Sequence, residues 1–146
     1  MAFRLIKDPM DTQAEEFPIS SQTVSVGEVL ELDIGAANWT TGDASTTHWQ
    51  RKAVAMEAAT SSATVVKAIL VNNYQLWEVD TANDGATADN GDRMLLGSGG
   101  LTVNNTGTDN TTKEACFVQK APVGDSGDNT IIGWIIAGTG VNPDAT

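Results

Sequence analysis

One short segment near the C-terminal end contains the residue types of a catalytic serine site. Residues 124–127 read Gly-Asp-Ser-Gly, with Ser126 as the possible nucleophile. In a catalytic triad a histidine takes the proton of the serine, and an aspartate orients that histidine. The single histidine, His48, lies upstream with several aspartates in between. The order of residue types therefore permits an acyl-transfer site. Whether Ser126 belongs to such a site depends on the residues around it.

The surroundings of Ser126 favour a turn. A chymotrypsin-like protease needs two β-barrels, and the 146 residues here are too few for both. The motif also continues with Asp128 and Asn129 where that family has glycine and proline. Gly, Asp, Ser and Asn are the residues that turns between strands prefer. We predict a turn, no catalytic residue and no enzymatic activity.

Four aspartates between residues 80 and 92 could attract a cation, because calcium prefers carboxylate oxygens. They are Asp80, Asp84, Asp89 and Asp92. Ala82 and Gly91 stand where an EF-hand loop requires ligands, so we favour a solvated acidic loop and leave calcium open. One histidine and one cysteine cannot form a zinc site by themselves. We expect no metal and no cofactor, and we expect Cys116 to be buried in a strand.

Other side chains could serve carbohydrate chemistry. Glu57 and Glu78 are candidate carboxylates for a glycosidase, but the sequence cannot place them at the required separation. Strict alternation in residues 74–80 would turn Trp77 to the core and Glu78 to the surface. Trp134 is likewise expected to be buried. Trp39 and Trp49 flank a polar loop, so a carbohydrate-binding module remains an alternative.

The charge balance restricts the class of partner. There are 19 acidic and 8 basic residues, with a net charge of −11. Such a surface repels phosphate backbones and anionic membranes. The start of the chain lacks the apolar core of a signal peptide, and no apolar run is long enough to span a membrane. We expect a protein partner, no nucleic acid and no membrane.

Short β-branched runs separated by turn residues predict an all-β fold, a single-domain sandwich or small barrel of about eight antiparallel strands. Residues 63–71 and 74–80 are expected to form a hairpin around Asn72 and Asn73. The other predicted strands lie in residues 23–35 with a break at Gly27, in 49–60, in 94–103 as a pair, and in 115–121 and 130–138. Residues 36–48 are predicted to form a loop.

Three regions are expected along the chain: an extended N-terminal arm (1–21), a β domain (22–138) and a flexible tail (139–146). Two prolines and several acidic residues in 7–21 favour an extended arm. The alternative is that residues 3–6 form the first strand of the domain. If the arm is free, deleting residues 2–16 should leave the β domain folded.

Residues 24–30 read VSVGEVL and precede an acidic, β-rich body with little cysteine or histidine. This arrangement resembles the capsid decoration (cement) proteins of tailed bacteriophages. The resemblance implies a structural virion protein, made in the host cytoplasm, that binds the major capsid protein on the outer surface of an expanded capsid. It implies a homo-oligomer, with a trimer favoured over a dimer. The apolar anchors of the arm would be Phe3, Leu5, Ile6 and Phe17. A tail, fibre or other surface subunit remains an alternative.

Overall fold

The computed structural model describes residues 2–33, 35–82, 85–106, 109–123 and 129–143. It confirms the all-β class, with eleven strands in two antiparallel sheets rather than about eight. Neither sheet is a closed barrel. The described residues contain no α-helix, only two single-turn 3₁₀-helices, Thr87–Asp89 and Ser98–Gly100.

The larger sheet has six strands in the order β1-β7-β11-β10-β8-β9. They are β1 (Arg4–Lys7), β7 (Leu76–Asp80), β8 (Arg93–Leu96), β9 (Val103–Asn104), β10 (Phe117–Pro122) and β11 (Thr130–Ile135). The smaller sheet has five strands in the order β2-β6-β5-β3-β4. They are β2 (Glu15–Pro18), β3 (Val29–Asp33), β4 (Asn38–Thr41), β5 (Lys52–Ala55) and β6 (Val65–Leu70).

One buried cluster takes side chains from both sheets. Trp77 and Ile131 come from the six-stranded sheet, whereas Val29 and Val54 come from the five-stranded sheet. Successive residues of a strand point to opposite faces, so Trp77 enters this core while its neighbours Leu76 and Glu78 face outward. The predicted core position of Trp77 is therefore confirmed.

A second cluster lies on the other face of the five-stranded sheet. The rings of Phe17 and Trp39 meet edge to face there, with centroids 4.8 Å apart. A parallel bridge joins Ile19, which follows edge strand β2, to Trp39 of the opposite edge strand β4. Trp39 thus belongs to strand β4 and to a core, which corrects the predicted loop. A Thr-rich strand with one inward aromatic side chain has the same composition as a polar loop.

The N-terminal segment is part of the sheets, so the prediction of a free arm is wrong and the alternative of a first strand is confirmed. Strand β1 pairs with β7, and β2 pairs with β6. Phe3 is buried and contacts Phe117 edge to face. Strand β2 is acidic but lies at a sheet edge. Its Phe17 side chain points into the core, and its other side chains face solvent.

Gly27 explains how the VSVGEVL segment receives the N-terminus. Its carbonyl accepts a hydrogen bond from the Phe3 N–H at 3.0 Å, and its φ is +79°. A Cβ at this position would lie 2.7 Å from the Phe3 carbonyl oxygen. Only glycine combines this backbone angle with so close an approach. The predicted break at Gly27 is confirmed, and its role is to seat the first strand.

The predicted hairpin of residues 63–71 and 74–80 is wrong, although both strands exist. Strand β6 lies in the five-stranded sheet and β7 in the six-stranded sheet. The Asn72 side chain accepts a hydrogen bond from the Tyr74 N–H, and buried Gln75 bonds to the Leu70 carbonyl. These contacts form a tight turn that carries the chain from one sheet to the other. Turn residues specify the turn, whereas distant strands decide the pairing.

Several other predictions hold. The β8–β9 and β10–β11 pairs are antiparallel neighbours, and residues 49–60 contain strand β5 rather than a helix. Cys116 is fully buried, as expected. Ser126 and its neighbours 124–128 lie outside the described residues. The boundary at residue 138 stays a prediction.

Candidate interaction surface

The outer face of the six-stranded sheet is the most distinctive surface of the protein. In β11 the residues Ile131, Gly133 and Ile135 are buried, whereas Ile132 and Trp134 are half-buried on the opposite face. Trp134 pairs across the sheet with Val118 of β10, and Ile132 pairs with Glu78 of β7. Ile132, Trp134 and Val118 therefore form an apolar patch on the outside of β10 and β11, next to Glu78 of β7. The prediction that Trp134 is buried is corrected to half-buried.

Half of the basic residues also lie on this face. Two of them are held by carboxylates: Arg4 contacts Glu78 at 2.6 Å, and Arg93 contacts Asp109 at 2.6 Å. Hydrogen bonds from Arg93 hold the pKa of Asp109 at about 2. The other two are Lys7 and Lys120, which form no ion pair within the described part of the chain. Two cations that no described carboxylate pairs with therefore lie on one face of a strongly acidic protein.

These two lysines flank a groove of about 320 Å³. Its aromatic walls are Tyr74 and Trp134, and its floor includes Leu76. Tyr74 is 68% exposed, so its ring is available for contact with a partner. Pro9 and Asn73 complete the lining among the described residues. The groove therefore combines apolar and aromatic contact area with positive charge at its two sides.

Hydrogen bonds hold one wall of the groove in place. Asp8 accepts from the N–H groups of Met10 and Thr12, at 3.0 Å and 2.9 Å, and from the Gln75 amide at 3.2 Å. Asn73 accepts from the Ala137 N–H at 3.0 Å. The β1–β2 loop, the turn before β7 and the segment after β11 are thereby tied together. A surface that is ordered before binding loses less entropy on binding.

The four predicted anchors have different positions. Phe3 and Phe17 are buried in the two separate clusters, so neither is available as a surface contact. Leu5 packs against the core from β1. Only Ile6 is substantially exposed, at 44%, beside the bulge of β1. The structure does not bring these four side chains together, and burial corrects the assignment of Phe3 and Phe17.

The residues of the groove were missed by the sequence analysis. The segment TIIGWII is apolar at every position but one, so its alternation does not reveal which face is buried. Gly133 is a usable signal, because a glycine in a strand often marks close packing on its own face. That assignment turns Trp134 outward. Nothing local in the sequence brings Lys7 and Lys120 to the same sheet face.

A buried lysine lies between the sheets at one end. Lys52 is 1% exposed, and its ammonium donates to the carbonyls of Gln50, Ile136 and His48 at 2.8, 2.9 and 3.4 Å. Burial lowers the pKa of Lys52 to about 8, against the opposing influence of Cys116 and Glu31. Every N–H of the ammonium has an acceptor, so Lys52 cross-links the two sheets.

A second cavity of about 370 Å³ lies beside Trp49. Its lining includes Glu31, Asp33 and Gln50. Burial raises the pKa of Glu31, whose carboxylate accepts a hydrogen bond from the Thr46 hydroxyl. A tryptophan beside carboxylates and an amide has the residue types that bind sugars. The predicted partner of Trp49 in that role, Trp39, is buried elsewhere and cannot contribute.

The remaining chemical candidates do not converge. Glu78 lies beneath Arg4 on the outer sheet, whereas exposed Glu57 follows β5 and accepts from the Lys67 N–H. Within the described residues no group of three or more His, Cys, Asp or Glu could hold a metal, while Asp84 lies outside them. None of the helices in the described ranges is long and apolar enough to cross a bilayer.

Comparison with known proteins adds no assignment. Neither a protein-family model nor a curated protein sequence matches the chain.

Proposed function

We propose that the protein is a structural virion protein, built as a β-sandwich, that binds the outer surface of an expanded bacteriophage capsid. In this role it stabilises contacts between major capsid protein subunits. The observation that carries the proposal is the outer face of the six-stranded sheet. It offers an ordered aromatic groove and two lysines that form no ion pair with any described residue, on a protein of net charge −11. The resemblance to decoration proteins supplies the class of partner.

The chemistry of this face suits binding to a protein lattice. Tyrosine and tryptophan are enriched among the residues that dominate protein interfaces, because they supply large contact area at low entropic cost. A homo-oligomer, with a trimer favoured, would present several such faces at once. Multivalent attachment turns modest individual contacts into tight binding.

Co-sedimentation with capsids tests this proposal. Purified protein is mixed with expanded and unexpanded capsids, and the bound fraction is measured after pelleting. We expect saturable binding to the expanded form and little binding to the unexpanded form. Equal binding to both, or binding to neither, contradicts a decoration role. Light scattering on the free protein measures the oligomeric state separately.

A carbohydrate-binding role is the second candidate, and the cavity beside Trp49 favours it. Glu31, Asp33 and Gln50 supply hydrogen-bonding groups next to the indole ring. Binding in a glycan screen that is lost in Trp49→Ala and retained in Trp134→Ala supports this candidate. A tail or fibre subunit would instead be found at few positions on the virion.

A further inference from the structure

We infer that the outer groove binds an extended acidic segment of the partner protein, with an apolar side chain between two carboxylates. The inference rests on the proposed function for the identity of the partner, the capsid lattice. It adds the chemistry of the partner surface and the groove residues that contact that surface. Lys7 and Lys120 would pair with the carboxylates, while Trp134, Tyr74 and Leu76 would contact the apolar side chain.

Charge complementarity identifies the occupant as acidic. The protein as a whole repels an acidic partner, since acidic residues outnumber basic ones by 19 to 8. Lys7 and Lys120 form no ion pair among the described residues, whereas Arg4 and Arg93 on the same face are each matched by a carboxylate. An acidic segment is therefore attracted to this groove and repelled elsewhere. Such an arrangement orients a partner as well as binding it.

The strand order gives the spacing of the charges. Lys7 lies at the end of β1 and Lys120 lies in β10, with β7 and β11 between them. Three inter-strand spacings set β1 and β10 about 14 Å apart, and Lys120 also lies two residues along β10 from Val118, the partner of Trp134. Leu76 of β7 and Trp134 of β11 lie between the lysines. The apolar part of the groove is thus bracketed by positive charge.

An extended peptide matches this spacing. Four residues of extended chain span about 13–14 Å, and side chains at i, i+2 and i+4 point to the same side. Carboxylates at i and i+4 would reach the two lysines, and an apolar side chain at i+2 would meet Trp134. The pattern acidic-x-apolar-x-acidic is the simplest sequence that satisfies all three contacts.

The groove fits a peptide better than a sugar. Sugar hydroxyls need several fixed donors and acceptors, commonly carboxylates and amides. The described lining of the groove contains no carboxylate, and the side-chain carbonyl of its one amide, Asn73, already accepts from Ala137. The cavity beside Trp49 has the carboxylates that this groove lacks. An acidic glycan is therefore an outcome of the test rather than the proposed occupant.

A peptide titration followed by NMR tests the inference on the full chain. The probe is the capped peptide Ser-Glu-Ser-Leu-Ser-Glu-Ser, and the matched control replaces both glutamates by lysine. We expect the Trp134 indole and the Tyr74 and Leu76 amides to shift with the glutamate peptide at concentrations up to about 5 mM. Equal shifts with the lysine peptide, or no shifts in the groove, overturn the inference. Shifts there with polyglucuronate alone would assign the groove to an acidic glycan and also overturn it.

Variants of the lysines connect this result to the groove. Lys7→Gln combined with Lys120→Gln should weaken peptide binding at least about tenfold. The control pair, Lys67→Gln with Lys113→Gln, removes two exposed lysines elsewhere and should leave it unchanged. All four side chains are exposed, so both variants are expected to fold, and thermal melting verifies this. Equal weakening in both pairs would show a general charge effect and contradict the inference.

The capsid assay separates this inference from the proposed function. The wild-type protein should bind expanded capsids. Loss of this binding in Lys7→Glu with Lys120→Glu, and its retention in Lys67→Glu with Lys113→Glu, supports both the groove inference and the decoration role. If the Lys7→Glu, Lys120→Glu variant binds capsids fully, the inference about the groove is overturned, whereas the proposed decoration role still stands. Specific peptide binding without any capsid binding supports the groove and contradicts the decoration role.

Discussion

The two faces of the six-stranded sheet are made by the same strands but carry different side chains. On the inner face Trp77, Phe117 and Ile131 are fully buried against the other sheet. On the outer face Trp134 is half-buried and Tyr74 is exposed, beside the groove lysines Lys7 and Lys120. Because adjacent residues of one strand supply both faces, selection for folding and selection for binding can act on alternate positions. Stability should depend on the first set, and partner binding on the second.

The largest expected effect comes from removing the strand that contributes to both faces. Deleting residues 2–16 removes β1, its pairing with β7 and the buried Phe3. We expect the free energy of unfolding to fall by more than about 5 kcal/mol, or cooperative melting to disappear. Circular dichroism during thermal melting measures this. An unchanged melting transition would restore the free arm that the prolines and charges of this segment first indicated.

On the inner face, Trp77→Ala should cost about 3–5 kcal/mol, since it opens a cavity where the side chain is fully buried. Chemical denaturation of the variant and the wild type measures the difference. Capsid binding by the folded fraction should be retained. A decrease in the free energy of unfolding below about 1 kcal/mol would mean that the side chains between the sheets are not close-packed around the Trp77 ring.

The buried lysine at the end of the inner face should make stability depend on pH. Burial lowers the pKa of Lys52 to about 8, so above this pH the unfolded state binds more protons than the folded state. Stability should therefore rise between pH 8 and 9, by about 1 kcal/mol relative to Lys52→Met. Cys116, whose pKa burial raises to about 11, acts in the opposite direction in both proteins.

At neutral pH Lys52→Met should itself be destabilising by about 1–3 kcal/mol, because the backbone carbonyls of Gln50, before β5, and Ile136, after β11, lose their donor. Denaturant titrations of both proteins at several pH values give the two quantities together. Parallel pH profiles for the two proteins would mean that Lys52 does not titrate in this range.

The smallest effect on stability is expected on the outer face. Trp134→Ala should reduce the free energy of unfolding by less than about 2 kcal/mol, because the side chain lies on the outer face and is only partly buried. The same change should abolish peptide binding in the groove. If Trp134→Ala destabilised the protein as much as Trp77→Ala, the outer face would contribute to stability like the inner face, and the two faces would not have separate roles.

Local patterns predicted the fold class and most strands, and tertiary contacts decided the rest. The alternation of residues 74–80 correctly placed Trp77 inside, but Glu78, expected at the surface, is buried on the opposite face under Arg4. The same pattern could not show that β7 pairs with β1 and β11 rather than with β6. Strand β2 was missed because edge strands tolerate prolines and charges. Lys7 and Lys120 are far apart in the sequence, so only strand order brings them to one groove.

The most direct test of this account is hydroxyl-radical footprinting of the protein bound to expanded capsids. The oxidation rates of Tyr74, Trp134 and Trp49 are compared between the free and the bound protein. We predict that Tyr74 and Trp134 are protected on the capsid, whereas Trp49, at the end of the five-stranded sheet, is unchanged. Protection of Trp49 with no change at Tyr74 and Trp134 would show that another surface binds the capsid and would contradict the account.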